Sequence, residues 1–188
     1  IAPLISERWS PRVFDAEFII DEGNVKSILE AARWAPSCFG DQPWKFVIFQ
    51  KKDALQWVNA LNCLSVGNQN WAMDTSLLIC VCANKKFKHN DNENKWSQYD
   101  TGAASENICL QSTYLGLAAH QMGGFDSDKI RNLANIPVEF DVMSFIAVGK
   151  PLAKKLMTIE QAEAEGSARK RLKLNEIYFE NKWDNFEG

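Results

Sequence analysis

Histidine, surplus positive charge and long apolar runs are all scarce in this sequence, and each shortage removes a class of function. Only two histidines are present, His89 in a polar stretch and His120 in an apolar one. With no HxxH motif and no Cys/His set, a catalytic zinc is not expected. The formal net charge is −3 over 188 residues, whereas a nucleic-acid binder is normally basic over its whole domain, so no nucleic-acid partner is expected. No apolar run approaches the ~20 residues needed to span a bilayer, so no membrane partner is expected either. GxGxxG and Walker loops are missing, which leaves Rossmann and P-loop nucleotide sites unsupported. A GxSxG nucleophile elbow is missing too. The five cysteines are an odd number without framework spacing, and Cys80-x-Cys82 sits in an apolar run that suits a buried strand. Reduced thiols and a cytoplasmic location follow as expectations.

What is present describes a globular chain. Apolar residues make up 46% and charged residues 24% of the sequence, enough for one domain, residues 1–188, with a real core. Seven tryptophans are many for this length and offer flat surfaces to an aromatic ligand or a partner subunit.

The segment around which the chain is organised is Ala35–Phe49, APSCFGDQPWKFVIF. Val25, Ile28, Leu29 and Ala32 form one helical face leading into it, with Asp21 as the expected cap. Pro36 stops that helix, because the residue before a proline is pushed out of the α region. A short polar loop, Ser37–Asp41, precedes an expected strand at Lys45–Phe49. Upstream, Arg8 and Arg12 flank Ser10, two fixed cations and a hydroxyl that suit a phosphate or a polarised carbonyl.

Further along, a helix is expected at Asp53–Leu61 with Leu55, Val58 and Leu61 inward. The amide-rich run Ser65–Trp71 reads as a loop. Ser76–Ala83 reads as a strand buried on both faces. The charged stretch Lys85–Lys95 reads as a mobile surface loop with the position of a lid. A central helix is expected at Asp100–Leu115, capped by Asp100 or Thr101. Strands are expected at Leu117–Met122 and Asp141–Val148, with Gly123-Gly124 between them as a turn or as a place where a ligand lies on backbone. Ser127 is the expected cap of the helix after that turn. Leu174, Ile177, Phe179 and Trp183 are too apolar for a free tail and must dock somewhere.

In order, Arg8-x-Ser10-x-Arg12-x-Phe14, Ala31–Ser37, Gln42–Phe46, Asn68-Gln69-x-Trp71, Gly123–Asp126 and Val148–Pro151 make a set that resembles the nitroreductase family of FMN-dependent oxidoreductases. A basic Arg169-x-Arg171 closes the series. The resemblance runs from Ile5 to about Trp183. It implies an α+β fold, a central mostly antiparallel sheet wrapped by helices, and a homodimer whose tails (about 168–188) dock on the partner subunit, with FMN at the interface.

Residue by residue, the resemblance implies that Arg8, Trp9 and Ser10 hold the FMN phosphate or ribityl chain, with Arg169 and Arg171 completing the phosphate site. Arg12 would reach the pyrimidine edge near N1 and O2, where a fixed cation favours the reduced flavin. Pro36, Ser37, Cys38, Gly40 and Gln42 would come from the partner chain. Asn68 would touch the ring or ribityl group, and Gln121, Met122, Gly123 and Gly124 would run along the ring with the Gly123 N–H near N5. Cys38 stands where serine is commoner in the family. The implied function is ping-pong transfer of hydride from NAD(P)H through the flavin to a nitroaromatic, quinone or similar planar small-molecule acceptor. The alternatives are a reductive dehalogenase-like enzyme of the same family and a flavin-binding protein without turnover.

Overall fold

The apolar run at 76–83 forms the centre of the sheet. In the computed structural model, which describes residues 1–183, it becomes β2 (Leu77–Asn84). On one side β2 pairs with β1 (Trp44–Gln50), and on the other with β4 (Phe140–Gly149). β3 (Ala118–Met122) pairs with β4, giving the order β1-β2-β4-β3, and every pairing is antiparallel. Alternation sends Leu78, Cys80 and Cys82 to a core with Trp57, Trp71 and Phe145, and Leu77, Ile79 and Val81 to another with Val25, Ile28, Ala104 and Ile108. A strand covered on both faces has no solvent side to make polar, hence the unbroken apolar run.

Helices supply the two coverings. α1 (Pro3–Glu7) is one short turn. α2 (Glu22–Arg33) buries Val25, Ile28 and Ala32, and Asp21 caps it by accepting from the Asn24 N–H. The expected stripe and cap are therefore both present. α3 (Ala54–Leu61) buries Trp57 and Ala60. Leu55 and Val58, expected inward, are 69% and 48% exposed. The indole of Trp57 has more surface to bury than either aliphatic side chain, and its burial sets the helix rotation.

Residues expected to form an amide-rich loop are instead α4 (Val66–Ala72). Trp71 and Ala72 pack into the core, and that anchorage outweighs the weak helix preference of Asn68 and Asn70. The central helix, α5 (Ser97–Tyr114), starts earlier than expected, with Trp96 at its N-cap. Asp100 lies in its first turn. Buried Ser105 and Ser112 satisfy their hydroxyls on the carbonyls of Thr101 and Ile108, whereas the buried Thr101 hydroxyl has no hydrogen-bond partner among the described residues. α6 (Ser127–Leu133) is capped by Asp126, one residue before the expected Ser127, because the Asp126 carboxylate reaches the N–H groups of Asp128 and Lys129. The last α-helix, α7 (Ile159–Glu165), begins with a capping box between Thr158 and Gln161.

The stretch 85–95 is built rather than loose. Lys86 and Glu93 form an isolated β-bridge, Asn94 N–H donates to Lys85 O at 2.7 Å, and Phe87 is buried. Its charged sequence hid one apolar anchor. Of the expected docking tail, Leu174, Ile177 and Trp183 are exposed in the single chain, and residues 184–188 lie outside the described residues. Among the described residues no helix is long and apolar enough to cross a membrane.

Candidate functional site

Residues 8–13 run between α1 and the point where Phe14 bridges Pro151. Arg8, Ser10 and Arg12 line a cleft of about 740 Å3, together with His120 of β3, Gln161 and Glu165 of α7, and Arg171. Glu7 and Pro11 line a second cavity, about 280 Å3, and Trp9 and Val13 border both. An extended segment alternates its side chains in this way, so three residues spaced by two present their polar groups together.

Arg8 is fixed on both sides. Its guanidinium donates to Ser10 Oγ at 3.1 Å and lies 3.5 Å from Glu106 of α5. Arg12 and Arg171 are exposed in the same cleft. Arg169 is engaged elsewhere: it donates to the carbonyls of Arg8 and Ser6, and its guanidinium lies 5.5 Å from the centroid of Trp9. Under this segment, His120 Nδ1 is 2.9 Å from Pro11 O. The imidazole also packs on Trp71, centroids 4.5 Å apart, and Trp71 stacks on Phe14. Burial pushes the His120 pKa below the ordinary imidazole value. The neutral ring can then donate from Nδ1 to Pro11 O.

The loop after α2 is strained. A 3-10 turn, Cys38–Gly40, contains Phe39 at φ 54°, and Gln42 follows at φ 48°. Left-handed backbone at residues with a Cβ costs roughly 1–2 kcal/mol each, and such strain tends to gather at functional sites. Several contacts hold it, one of them from the Lys88 ammonium to the Asp41 carbonyl. Cys38 N–H donates to Asp100 Oδ2 at 2.9 Å, Gln42 N–H to Ser37 Oγ at 3.0 Å, Lys88 N–H to Asp41 Oδ1 at 2.9 Å, and the Lys88 ammonium to Gln42 O at 3.1 Å. Phe39 itself is 82% exposed and meets Phe87 and His89 edge-on. Thus the 85–95 stretch braces this loop.

After β3 the chain turns through Gly123 and Gly124. A Cβ on Gly123 would meet nothing within 4 Å, whereas one on Gly124 would lie 2.8 Å from both Asn68 Nδ2 and Ser65 Oγ. Asn68 donates to Gly124 O at 2.9 Å, tying α4 to the turn. Gln121 is exposed and Met122 is buried. Gln121 donates to the Cys109 sulfur, whose thiol burial pushes up to about 12. That thiol is a packing group.

The expected residues therefore fall into groups. Arg8, Ser10, Arg12 and Arg171 share one cleft, which Trp9 borders. Gly124 and Asn68 are joined by a hydrogen bond, with Gly123, Met122 and Gln121 adjoining them along the chain. Pro36, Ser37, Cys38, Gly40 and Gln42 sit on or beside the strained loop. Several cleft residues were not expected there, among them His120, Gln161 and Glu165. Glu165 accepts from Trp9 Nε1 at 2.8 Å and from the Arg12 N–H at 2.7 Å. The donor set suits an anionic phosphate: the guanidinium of Arg12, unpaired among the described residues, that of Arg171 with one N–H on the Lys170 carbonyl at 2.8 Å, a third on Arg8 held in place, and a hydroxyl.

Known proteins resemble this chain in sequence and in fold. The sequence matches the nitroreductase family over residues 5–65 and 60–150. A protein of Archaeoglobus fulgidus provisionally named NADH dehydrogenase/NAD(P)H nitroreductase is 31% identical over 156 residues, 81% of this chain and 86% of that protein. An oxygen-insensitive NADPH nitroreductase of Helicobacter acinonychis is 25% identical over 182 residues, 78% of this chain and 85% of the relative. Among solved structures, one described as an oxidoreductase containing FMN superposes with a TM-score of 0.89 at 33% identity, covering 98% of this chain and 93% of the other. With both the family match and that identity extending over most of its length, this chain belongs to the nitroreductase family.

Proposed function

We propose that this chain is an FMN-dependent NAD(P)H oxidoreductase that reduces a nitroaromatic, quinone or similar planar acceptor. The observation that carries the reading is the meeting of Arg8, Ser10, Arg12 and Arg171 in one cleft of about 740 Å3, on a chain 33% identical to a structure described as containing FMN. When bound, FMN supplies the two-electron hydride chemistry, which needs no protein acid or base for the transfer itself. The protein's task is then binding, orientation and electrostatics.

Arg8, Ser10 and Arg171 would hold the phosphate, with Trp9 beside them. Arg169 would act from behind, through the backbone of Arg8 and the face of Trp9. Arg12 would lie toward the pyrimidine edge, where a fixed cation stabilises the negative charge of the reduced ring. Gln121, Met122, Gly123 and Gly124 would line the ring with Asn68. The open space over Gly123 suits a planar ligand lying on backbone, which a side chain there would obstruct. Pro36, Ser37, Cys38, Gly40 and Gln42 would close the site from a partner subunit. NAD(P)H and the acceptor would use the same exposed face in turn, which makes the kinetics ping-pong.

A homodimer accounts for the unusual exposure of apolar residues in the single chain. Leu172, Leu174, Ile177 and Trp183 are 68%, 70%, 61% and 83% exposed along one tail, more than a free surface segment normally carries. A chain ending at Leu172 is expected to sediment as monomer. A stable dimer from that shortened chain would assign the interface elsewhere.

The test of function is an absorption spectrum of the purified protein, followed by anaerobic NADH or NADPH. Flavin bands that bleach with either nucleotide and return with a nitroaromatic or quinone are the expected result. Bound FMN that bleaches but is not reoxidised by such acceptors would favour a flavin-binding protein without turnover. Protein that cannot be loaded with FMN would overturn the reading.

A further inference from the structure

The cleft that gathers three arginines also contains a carboxylate, Glu165, which an anion-binding site would not select for its charge. Its oxygens are already committed. One accepts from the Trp9 indole at 2.8 Å, and the other from the backbone N–H of Arg12 at 2.7 Å, across 156 and 153 residues of sequence. Four residues further on, Arg169 donates to the carbonyls of Ser6 and Arg8 and lies 5.5 Å from the Trp9 ring centroid. The end of α7 and the start of the tail therefore grip the indole with a carboxylate and a guanidinium, and hold backbone on both sides of it.

We infer that Glu165 is a positioning residue: it clips the extended segment so that Arg8, Ser10 and Arg12 face the cleft in fixed register. The inference rests on the reading given under Proposed function, in which that face holds FMN. Without the clip, the run from Arg8 to Arg12 would keep its anchors at Arg8 O, through Arg169, and at Pro11 O, through His120. Arg12 N–H and the Trp9 indole would lose the partners they have in this structure. The guanidinium of Arg12 would then have to be ordered by the ligand itself, at a cost in affinity. The clip also joins the cofactor site to the tail, because the chain passes from Glu165 through Arg169 to the exposed apolar stretch after Arg171.

The experiment compares wild type with Glu165→Ala, Glu165→Gln, Trp9→Phe and the Glu165→Ala/Trp9→Phe double variant, and with Glu163→Ala, an exposed position on α7, as control. Each protein is stripped of FMN and titrated with it, with flavin fluorescence giving Kd. The flavin midpoint potential and the thermal melt of the apoprotein are also measured. Glu165→Ala is expected to weaken FMN binding about tenfold, equivalent to ~1.4 kcal/mol, and to lower the midpoint potential as Arg12 shifts. Glu165→Gln, which keeps one oxygen acceptor and the side-chain volume, is expected to fall between Glu165→Ala and wild type. The double variant is expected to lose less than the sum of its parts, and Glu163→Ala to match wild type. Wild-type Kd and potential in both Glu165 variants would overturn the clip while leaving the FMN reading intact, as would a lowered melting temperature with Kd unchanged. A wild-type protein that takes up no FMN would overturn the functional reading and this inference with it.

Discussion

The buried carboxylate of Asp100 accepts the backbone N–H of Cys38 at 2.9 Å, tying the first turn of α5 to the strained loop that follows α2. Asp100 is 5% exposed, so water does not readily replace this contact when it is lost. Asp100→Ala leaves the Cys38 N–H without its partner, and a bond to a charged acceptor contributes about 2 kcal/mol. The melting temperature is expected to fall by roughly 4–8 °C for a chain of this size. Asp100→Asn, which keeps an acceptor oxygen, is expected to lose less. Thermal melts of the two variants check this, and equal losses would mean that the charge, not the acceptor, is what the loop requires.

His120 makes stability depend on pH. Desolvation lowers its pKa first and the charge of Arg12 lowers it further, while the bonds to Pro11 and Ser10 and the charge of Glu165 oppose the shift. The unfolded imidazole keeps an ordinary pKa near ~6.5, so below that pH the unfolded chain binds the proton first. The stabilisation is present above the unfolded value and is lost as pH falls through the lower folded-state value. Melting temperature is therefore expected to drop between about pH 7.5 and about pH 5 in wild type, with a shallower slope in His120→Gln. Parallel slopes would assign the acid sensitivity to other groups.

The parts legible from sequence are those where one local pattern and the final packing agree. The run at 76–83 is apolar without alternation because β2 is covered on both faces. The Val25, Ile28, Ala32 stripe and its Asp21 cap are likewise complete within one stretch of chain. Errors came where a distant partner decided. Nothing near Asn68 announces that Trp71 will lie between Phe14 and His120, and that packing makes the amide-rich run a helix. Lys88 belongs to a charged stretch, yet it holds the backbone of Asp41 and Gln42. Glu165 carries no signal at all, because its partners lie more than 150 residues away. Contacts of that separation are set by topology, which motif order can imply only through family resemblance.

Arg12 separates charge from mere binding surface. Its side chain is exposed in the cleft and, among the described residues, has no carboxylate within ion-pair distance. In the proposed site it faces the edge of the ring that becomes negative on reduction, so Arg12→Ala removes an interaction that strengthens as the ring is reduced. FMN retention is expected to fall on the order of tenfold, with slower reduction by NAD(P)H. Arg12→Lys, which keeps charge without the fork, is expected to recover part of the rate. Flavin-to-protein ratios and stopped-flow bleaching check both. Unchanged values in Arg12→Ala would remove this residue from the site.

The adjoining glycines allow a paired test, because space around them differs. A methyl group at Gly124 would lie 2.8 Å from Asn68 Nδ2 and 2.8 Å from Ser65 Oγ. Ser65 can rotate, but Asn68 is bound to the Gly124 carbonyl at 2.9 Å, so the new methyl displaces a bonded side chain. Gly124→Ala is expected to cost about 1–2 kcal/mol. At Gly123 the same methyl meets nothing within 4 Å, so Gly123→Ala is expected to leave the apoprotein's melting temperature unchanged. In the proposed site, however, that methyl stands where the ring would lie on backbone, and FMN affinity is expected to fall. Calorimetry of the apoproteins and FMN titration of each variant read the two effects separately. A Gly123→Ala protein with wild-type stability and wild-type FMN affinity would move the ring away from this turn, and a Gly124→Ala protein of wild-type stability would show that Asn68 and Ser65 yield without cost.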